Sequence, residues 1–141
     1  MKHAYLYLIL LSFLACKKAS DPTTVTPAIL KGKWEIRQAA GQILIDYPSG
    51  NGHILEFTSN GFTYQDSGKV KLSGSYVITQ ESTIVDGCQT AFPETTMDRL
   101  VTDPIFMANK LFVKIEGGQL KFQSGCSMYD GAASSIWARI Q

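Results

Sequence analysis

Histidine and cysteine, which often carry acid–base and nucleophilic chemistry, are scarce in this chain of 141 residues, which has three cysteines and two histidines. His53 is the one histidine outside the N-terminal leader that could act as a general base. It alternates with apolar Ile54 beside a glycine-rich loop, which is typical of a histidine at the mouth or surface of a barrel. The sequence contains no Gly-x-Ser-x-Gly, phosphate-binding loop, His-Glu-x-x-His or calcium loop. We therefore expect no enzyme activity, no metal site and no cofactor.

The N-terminus has the pattern of an export signal. Residues 1–3 carry positive charge, and residues 4–15 are apolar except for Ser12. An apolar run of about a dozen residues is too short to span a bilayer core of roughly 30 Å, but it matches the core of a signal peptide. We therefore assign residues 1–15 to a signal peptide.

The end of this run, Phe13-Leu14-Ala15-Cys16, resembles the lipobox of bacterial lipoproteins. The resemblance implies that Cys16 is lipidated and becomes the first mature residue, so that the lipid holds the protein on a membrane. It implies an exported protein of the cell envelope, expected at the outer membrane on its periplasmic or surface side. The alternative is an ordinary secretory signal with cleavage near Ala15 and a free thiol at Cys16.

The segment after the leader, residues 16–27, is predicted to be a flexible tether. It consists of the lipidated cysteine and small polar residues with two prolines, and its longest apolar side chain is Val25. Removal of the leader removes Lys2 and leaves equal numbers of basic and acidic side chains, without a run of like charges. The mature chain therefore lacks the charge pattern of a nucleic-acid-binding protein.

Cys88 and Cys126 remain as an even pair, both in turn-like surroundings. In an oxidising compartment this favours a disulfide. Closing a loop of about 40 residues would stabilise the fold by roughly 4 kcal/mol in the chain-entropy model. The alternatives are two free thiols or half of a metal site, and a metal site would need more Cys or His nearby.

Residues 28–141 have the pattern of one all-β domain. A single helical turn is predicted over Pro27–Leu30, before Gly32. Lys33–Ala39 alternates Lys33, Glu35 and Arg37 with a second set of residues that includes Trp34 and Ile36, as in a strand with one polar and one buried face. This pattern, continued along the chain, predicts eight or nine short strands separated by turns. No periodic segment is long enough for the helix of a βαβ crossover. We predict a small antiparallel up-and-down β-barrel of about eight strands, because closure removes sheet edges.

The clearest turn signal is Asn60-Gly61 between two alternating runs, which predicts a hairpin with positive φ at both residues. A second hairpin is predicted across Gly117-Gly118. Gln89–Ala108 is the least regular region, and the spacing of Met97, Leu100 and Val101 indicates a short helix or a loop ending at Pro104. The face expected to be buried comprises Trp34, Ile36, Leu55, Phe57, Phe62, Tyr64, Tyr76, Ile78, Leu111, Val113, Leu120 and Phe122.

Gly32-Lys33-Trp34 resembles the Gly-x-Trp motif of lipocalins, and Trp137-Ala138-Arg139-Ile140 resembles the last strand of that family, whose arginine packs on the tryptophan. Phe57–Tyr64 and Gly74–Ile78 look like the middle strands of bacterial lipocalin-like lipoproteins. The resemblance covers residues 29–141 and implies a lipocalin-like barrel.

The same resemblance implies that Gly32, Trp34 and Arg139 close one end of the barrel. A guanidinium stacked on an indole contributes roughly 0.5–2 kcal/mol. Trp137 shares a strand face with Arg139 by period two, so the sequence leaves open which of the two aromatic rings Arg139 meets.

These observations are compatible with two functions. The first is binding of a small apolar ligand inside the barrel, which needs a cavity of about 300 Å³ or more. The second is a non-catalytic interaction or structural role in the envelope, with a filled barrel and exposed loops at Tyr47–Gly52 and Gln89–Ala108. The residues expected to line a ligand cavity are Trp34, Phe57, Tyr64, Tyr76 and Phe122.

The lipid anchor is tested by replacing Cys16. We expect Cys16→Ser to move most of the protein from the membrane pellet to the soluble fraction, because serine cannot accept the thioether-linked lipid. Fractionation followed by immunoblotting measures this, with Lys17→Ser as a neighbouring control that keeps the cysteine. Retention of Cys16→Ser in the membrane pellet would contradict the anchor.

Overall fold

The computed structural model describes residues 24–85, 88–89, 96–108, 110–124 and 133–141. The predicted signal peptide, Cys16, most of the tether and Cys126 lie outside these residues, so the lipidation and the disulfide stay predictions. Among the described residues, the helix α1 (Pro27–Leu30) precedes the strands. The strands are β1 (Gly32–Ala40), β2 (Leu44–Asp46), β3 (His53–Phe57), β4 (Gly61–Asp66), β5 (Lys69–Ser82), β6 (Ile84–Val85), β7 (Cys88–Gln89), β8 (Thr96–Asp103), β9 (Leu111–Glu116), β10 (Gln119–Ser124) and β11 (Ser134–Ile140).

Eight strands form a closed antiparallel barrel in chain order, β1-β3-β4-β5-β8-β9-β10-β11, and β11 returns to pair with β1. The short β2 pairs with the last residues of β1, and β6 and β7 pair with each other. Closure leaves no unpaired edge within the ring of eight strands. The predicted up-and-down barrel of about eight strands is confirmed.

Alternation along the strands directs one set of apolar side chains into the barrel. All residues predicted to form the buried face belong to this core or pack against it, with Tyr64 and Ile78 partly buried at its margin. The core also holds residues that the prediction did not include, namely Val25, Leu30, Leu100, Phe106 and Trp137. At about 25 cal/mol per Å² of apolar surface removed from water, this set is the main source of stability.

The predicted β3–β4 hairpin is present, but its turn differs from the expected one. Neither Asn60 nor Gly61 has a positive φ. Thr58 holds the turn, because its backbone N–H donates to the Gly61 carbonyl over 2.8 Å and its hydroxyl accepts from the Gly61 N–H over 3.0 Å. The expected backbone conformation was wrong because a threonine side chain, and not left-handed backbone, closes this turn.

The region predicted as a short helix or loop around Met97 contains strand β8 instead. Its residues pair with β5 along Ser75–Ser82, and Arg99 and Leu100 also pair with β9. The helical spacing was misleading because pairing on two sides satisfies the backbone, and Leu100 is buried as an inward strand residue. The strand ends at Asp103, directly before Pro104.

One end of the barrel is closed by contacts around Trp34. The indole N–H donates to the Leu30 carbonyl over 2.8 Å, and the Arg139 guanidinium carbon lies 4.3 Å from the centroid of the Trp34 ring. Arg139 also donates to the carbonyls of Lys31 over 2.7 Å and Ile29 over 2.6 Å. We call this the closed end, and Trp34 and Arg139 the closing pair.

Gly32 is required beside the closing pair for two reasons. Its φ is +130°, a backbone conformation that residues with a Cβ rarely adopt, and a Cβ there would lie 2.8 Å from Nη1 of Arg139. We expect Gly32→Ala to lower the free energy of unfolding by about 1–3 kcal/mol, measured by urea denaturation.

Gly41→Ala is the matched control for Gly32→Ala, because a Cβ at Gly41 meets nothing within 4 Å. Its stability should stay within about 0.5 kcal/mol of the starting protein. Equal effects of the two substitutions would show that the guanidinium and the backbone at Gly32 impose no special constraint.

Candidate functional site

Most residues predicted to line a ligand cavity lie in the packed core. Trp34, Phe57 and Phe122 are each no more than 2% exposed. Tyr76 donates its hydroxyl to the Thr58 carbonyl over 2.9 Å and makes an edge-to-face contact with Phe57. These side chains therefore fill space inside the barrel.

A pocket of about 350 Å³ lies at the end of β3 and β4 away from the closed end. His53 and Asp66 pair at that end of the β3–β4 ladder, whereas Phe57 pairs with Gly32 at the other end of β3. We call it the mouth pocket. It is lined by Ile36, Tyr47, His53, Tyr64, Phe106, Met107 and Trp137, so Tyr64 is the one predicted cavity residue that contributes to it.

The polar part of the mouth pocket is a cluster on neighbouring strands. His53 Nδ1 lies 3.0 Å from the Tyr64 hydroxyl and 3.6 Å from Oδ1 of Asp66. Burial raises the pKa of Tyr64 above its ordinary value, and the charge of Asp66 and the neighbouring Tyr47 raise it further. Tyr64 is therefore a neutral hydroxyl near pH 7, able to donate and accept hydrogen bonds.

Aromatic rings form most of the wall. Tyr47 meets His53 edge-on with centroids 5.5 Å apart, and His53 lies parallel to Tyr64 at 6.4 Å. Tyr64 in turn contacts Phe106 at 5.6 Å and Trp137 at 6.4 Å. The indole N–H of Trp137 is already bonded to the Ser135 hydroxyl over 2.8 Å, so Trp137 presents an apolar surface.

The connection between β8 and β9 supplies the opposite side of the mouth pocket. Phe106 is 5% exposed and its backbone N–H donates to the Thr102 hydroxyl over 2.8 Å. Met107 follows with a φ of +64°, and its sulfur lies 4.0 Å from the Ser135 hydroxyl. This connection turns one aromatic ring inward and leaves a flexible thioether at the rim.

The loop over residues 47–52 is fixed to β1 by Glu35. The Glu35 carboxylate accepts from the backbone N–H groups of Gly50 over 3.0 Å and Gly52 over 3.4 Å, and from Arg37. Asn51 adds a bond from its side-chain amide to the Ile36 carbonyl over 2.8 Å. These bonds hold the loop against the barrel beside the mouth pocket.

The two pocket residues that flank this loop are each fixed by a backbone hydrogen bond. The side-chain oxygen of Asn51 accepts from the His53 backbone N–H over 2.9 Å. Tyr47 is fixed at the other end of the loop, because its backbone N–H donates to the Arg37 carbonyl over 2.8 Å. The loop therefore positions Tyr47 and His53 together, although both are distant from Glu35 in sequence.

The sequence placed Glu35 on a polar strand face, but the structure finds it only 4% exposed. Burial by itself would raise the pKa of Glu35, but the hydrogen bonds from Gly50, Arg37 and Gly52 together hold it below its ordinary value. The signal that could have indicated this is Gly-Asn-Gly at 50–52, whose glycines have positive φ and direct N–H groups at an anion.

Comparison with family models, with curated proteins and with solved structures found no match for this chain. The lipocalin-like resemblance therefore stays a prediction from the residues. Within the described ranges, no group of three or more His, Cys, Asp or Glu is placed to hold a metal ion. The described helix is too short to cross a membrane.

Glu35→Gln tests the attachment of the loop. We expect it to lower the free energy of unfolding by about 1–3 kcal/mol near neutral pH, because a charged acceptor of several hydrogen bonds is lost. Because the pKa of Glu35 is lowered by folding, its contribution is present above the ordinary glutamate pKa and is lost as pH falls through the lower folded-state value.

Urea denaturation over a pH series measures this effect, and Glu56→Gln is its control. Glu56 lies on β3 in a partly exposed ion pair with Lys33 at 3.8 Å, so its loss should change stability by no more than about 0.5 kcal/mol. A Glu35→Gln protein as stable as Glu56→Gln at neutral pH would show that Glu35 does not anchor the loop.

Proposed function

We propose that this protein is a lipid-anchored barrel of the bacterial cell envelope that binds a small, mainly apolar ligand in the mouth pocket. The observation that carries this proposal is a pocket of about 350 Å³ at one end of the barrel. Ligand sites of proteins commonly have volumes of about 300–1,000 Å³ and combine apolar walls with a few polar groups. The membrane location rests on the leader and Cys16.

The composition of the wall supports a binding role. Ile36, Phe106 and Trp137 offer apolar surface, whereas His53 and Tyr64 offer hydrogen bonds close to one another. Among the described residues that line the pocket there is no Asp, Glu, Lys or Arg. A ligand that is mostly apolar would therefore leave few polar groups without partners on either side.

A second candidate is a protein-binding role in the envelope. In the described residues, β2 pairs with β1 on one side alone, and Ile43, Leu44 and Ile45 are 70%, 61% and 40% exposed. An edge strand with exposed apolar side chains is suited to an extended segment of a partner protein. The loop Tyr47–Gly52, which was expected to be the exposed surface for this role, is held against the barrel by Glu35. The exposed apolar residues lie before this loop in the chain, at Ile43, Leu44 and Ile45.

Binding in the mouth pocket is tested with the apolar probe N-phenyl-1-naphthylamine, whose fluorescence rises in apolar surroundings. We expect saturable binding to the purified protein, weakened about tenfold by Ile36→Phe, because a larger ring at this 8% exposed position takes volume from the pocket. Thermal unfolding verifies that the variant is folded.

Val77→Phe is the matched control, since Val77 is 57% exposed on β5 and does not line the pocket. It should leave probe binding unchanged. No saturable binding, or equal binding by Ile36→Phe and the starting protein, would refute the pocket as the site and favour the protein-binding role.

A further inference from the structure

We propose that the mouth pocket selects a compact, planar aromatic molecule with one hydroxyl group over an extended acyl chain. This inference rests on the proposed ligand-binding function and specifies its ligand class. Three features carry it: the depth of the pocket, the arrangement of its rings and the hydrogen-bonding groups at its rim.

The depth of the pocket is limited by a closed layer of side chains. On β1, β3 and β4, the next inward residues toward the closed end from Ile36, His53 and Tyr64 are Trp34, Leu55 and Phe62. These three are 1%, 0% and 2% exposed. Because two strand residues span only about 6.6 Å, the pocket ends close beneath its lining residues and cannot continue as a tunnel.

The volume leads to the same conclusion. At the packing density of protein interiors, a pocket of about 350 Å³ holds a molecule of about 260 Å³. A long acyl chain could not extend along the barrel axis and would have to fold back on itself at the cost of its conformational freedom. A rigid ring system fills a short, wide space without that cost.

The rings of the wall are arranged to meet another flat molecule. The interplanar angle is 76° between Tyr47 and His53 and 81° between Tyr64 and Trp137, whereas His53 and Tyr64 are within 10° of parallel. Faces and edges are therefore both presented around the same space. Aromatic pairs in offset-stacked or edge-to-face arrangements gain stability beyond the area that they bury.

The hydrogen-bonding groups specify the polar part of the ligand. His53 uses Nδ1 toward Tyr64, while its Nε2 and the Tyr47 hydroxyl have no partner among the residues that the structure describes. A ligand hydroxyl both donates and accepts, so it pairs with His53 Nε2 in either tautomer of the ring. The position of this group at the rim leaves the aromatic body of the ligand against Trp137 and Phe106.

The test is displacement of N-phenyl-1-naphthylamine from the purified protein by 1-naphthol, naphthalene and 1-octanol. We expect 1-naphthol to displace the probe at a concentration about tenfold lower than 1-octanol and about fivefold lower than naphthalene, since one net hydrogen bond separates the two ring compounds. His53→Phe should remove the advantage of 1-naphthol, so that the concentrations of 1-naphthol and naphthalene needed to displace the probe become about equal.

Tyr47→Phe is a second variant that keeps the ring and removes the other unpartnered group, and it should weaken 1-naphthol selectively. Tyr76→Phe is the control, because the Tyr76 hydroxyl is bonded to Thr58 in the core and outside the pocket. It should leave the order of the three compounds unchanged.

The outcomes separate the ligand class from the binding function. If 1-octanol and 1-naphthol displace the probe equally well, the preference for a planar aromatic ligand is refuted, whereas binding of the probe still supports the pocket as a binding site. An undiminished advantage of 1-naphthol over naphthalene in both His53→Phe and Tyr47→Phe overturns the role of the rim. Failure of the probe itself to bind overturns the function and the ligand class together.

Discussion

The closing pair is the contact on which the rest of this barrel depends. Arg139 on the last strand covers Trp34 on the first, and it also donates to the Ile29 and Lys31 carbonyls around the end of α1. One side chain therefore joins both ends of the domain and satisfies carbonyl groups that the short helix leaves open. An arginine suits this position because its planar guanidinium can stack on a ring and still donate at its edge.

Closing the barrel at one end divides its interior into two regions with different roles. Toward the closing pair, large side chains such as Trp34, Phe57 and Phe62 are packed to near-complete burial. At the other end the ring of strands is the same, but a docked loop and an inserted connection bound the space together with core side chains such as Ile36 and Trp137. The packed region supplies stability. That stability offsets the free-energy cost of the unfilled volume at the mouth, which is the cost that a small cavity normally brings.

The sequence predicts the barrel much better than it predicts the mouth. Alternating side chains on single strands identified the buried face correctly, because that pattern is a local property of each strand. The turn at Asn60-Gly61 and strand β8 were predicted less well, since Thr58 and the pairing partners β5 and β9 decided their conformation. Of the expected cavity residues, Tyr64 alone lines the pocket, because size and apolarity do not distinguish a side chain that fills a barrel from one that borders a cavity.

Three pocket residues outside the expected ligand-lining set share one physical cause. Phe106, Met107 and Tyr47 lie on connections between strands, where no periodicity specifies which side chains turn inward. Their placement depends on a few polar contacts. The Glu35 carboxylate accepts hydrogen bonds from the loop that contains Gly50 and Gly52, and the Thr102 hydroxyl accepts one from the backbone N–H of Phe106. A buried carboxylate satisfied by backbone N–H groups is costly to leave unpaired, so it fixes the loop in one arrangement. The shape of the mouth therefore follows from a few polar residues on the barrel strands as well as from the rings that line it.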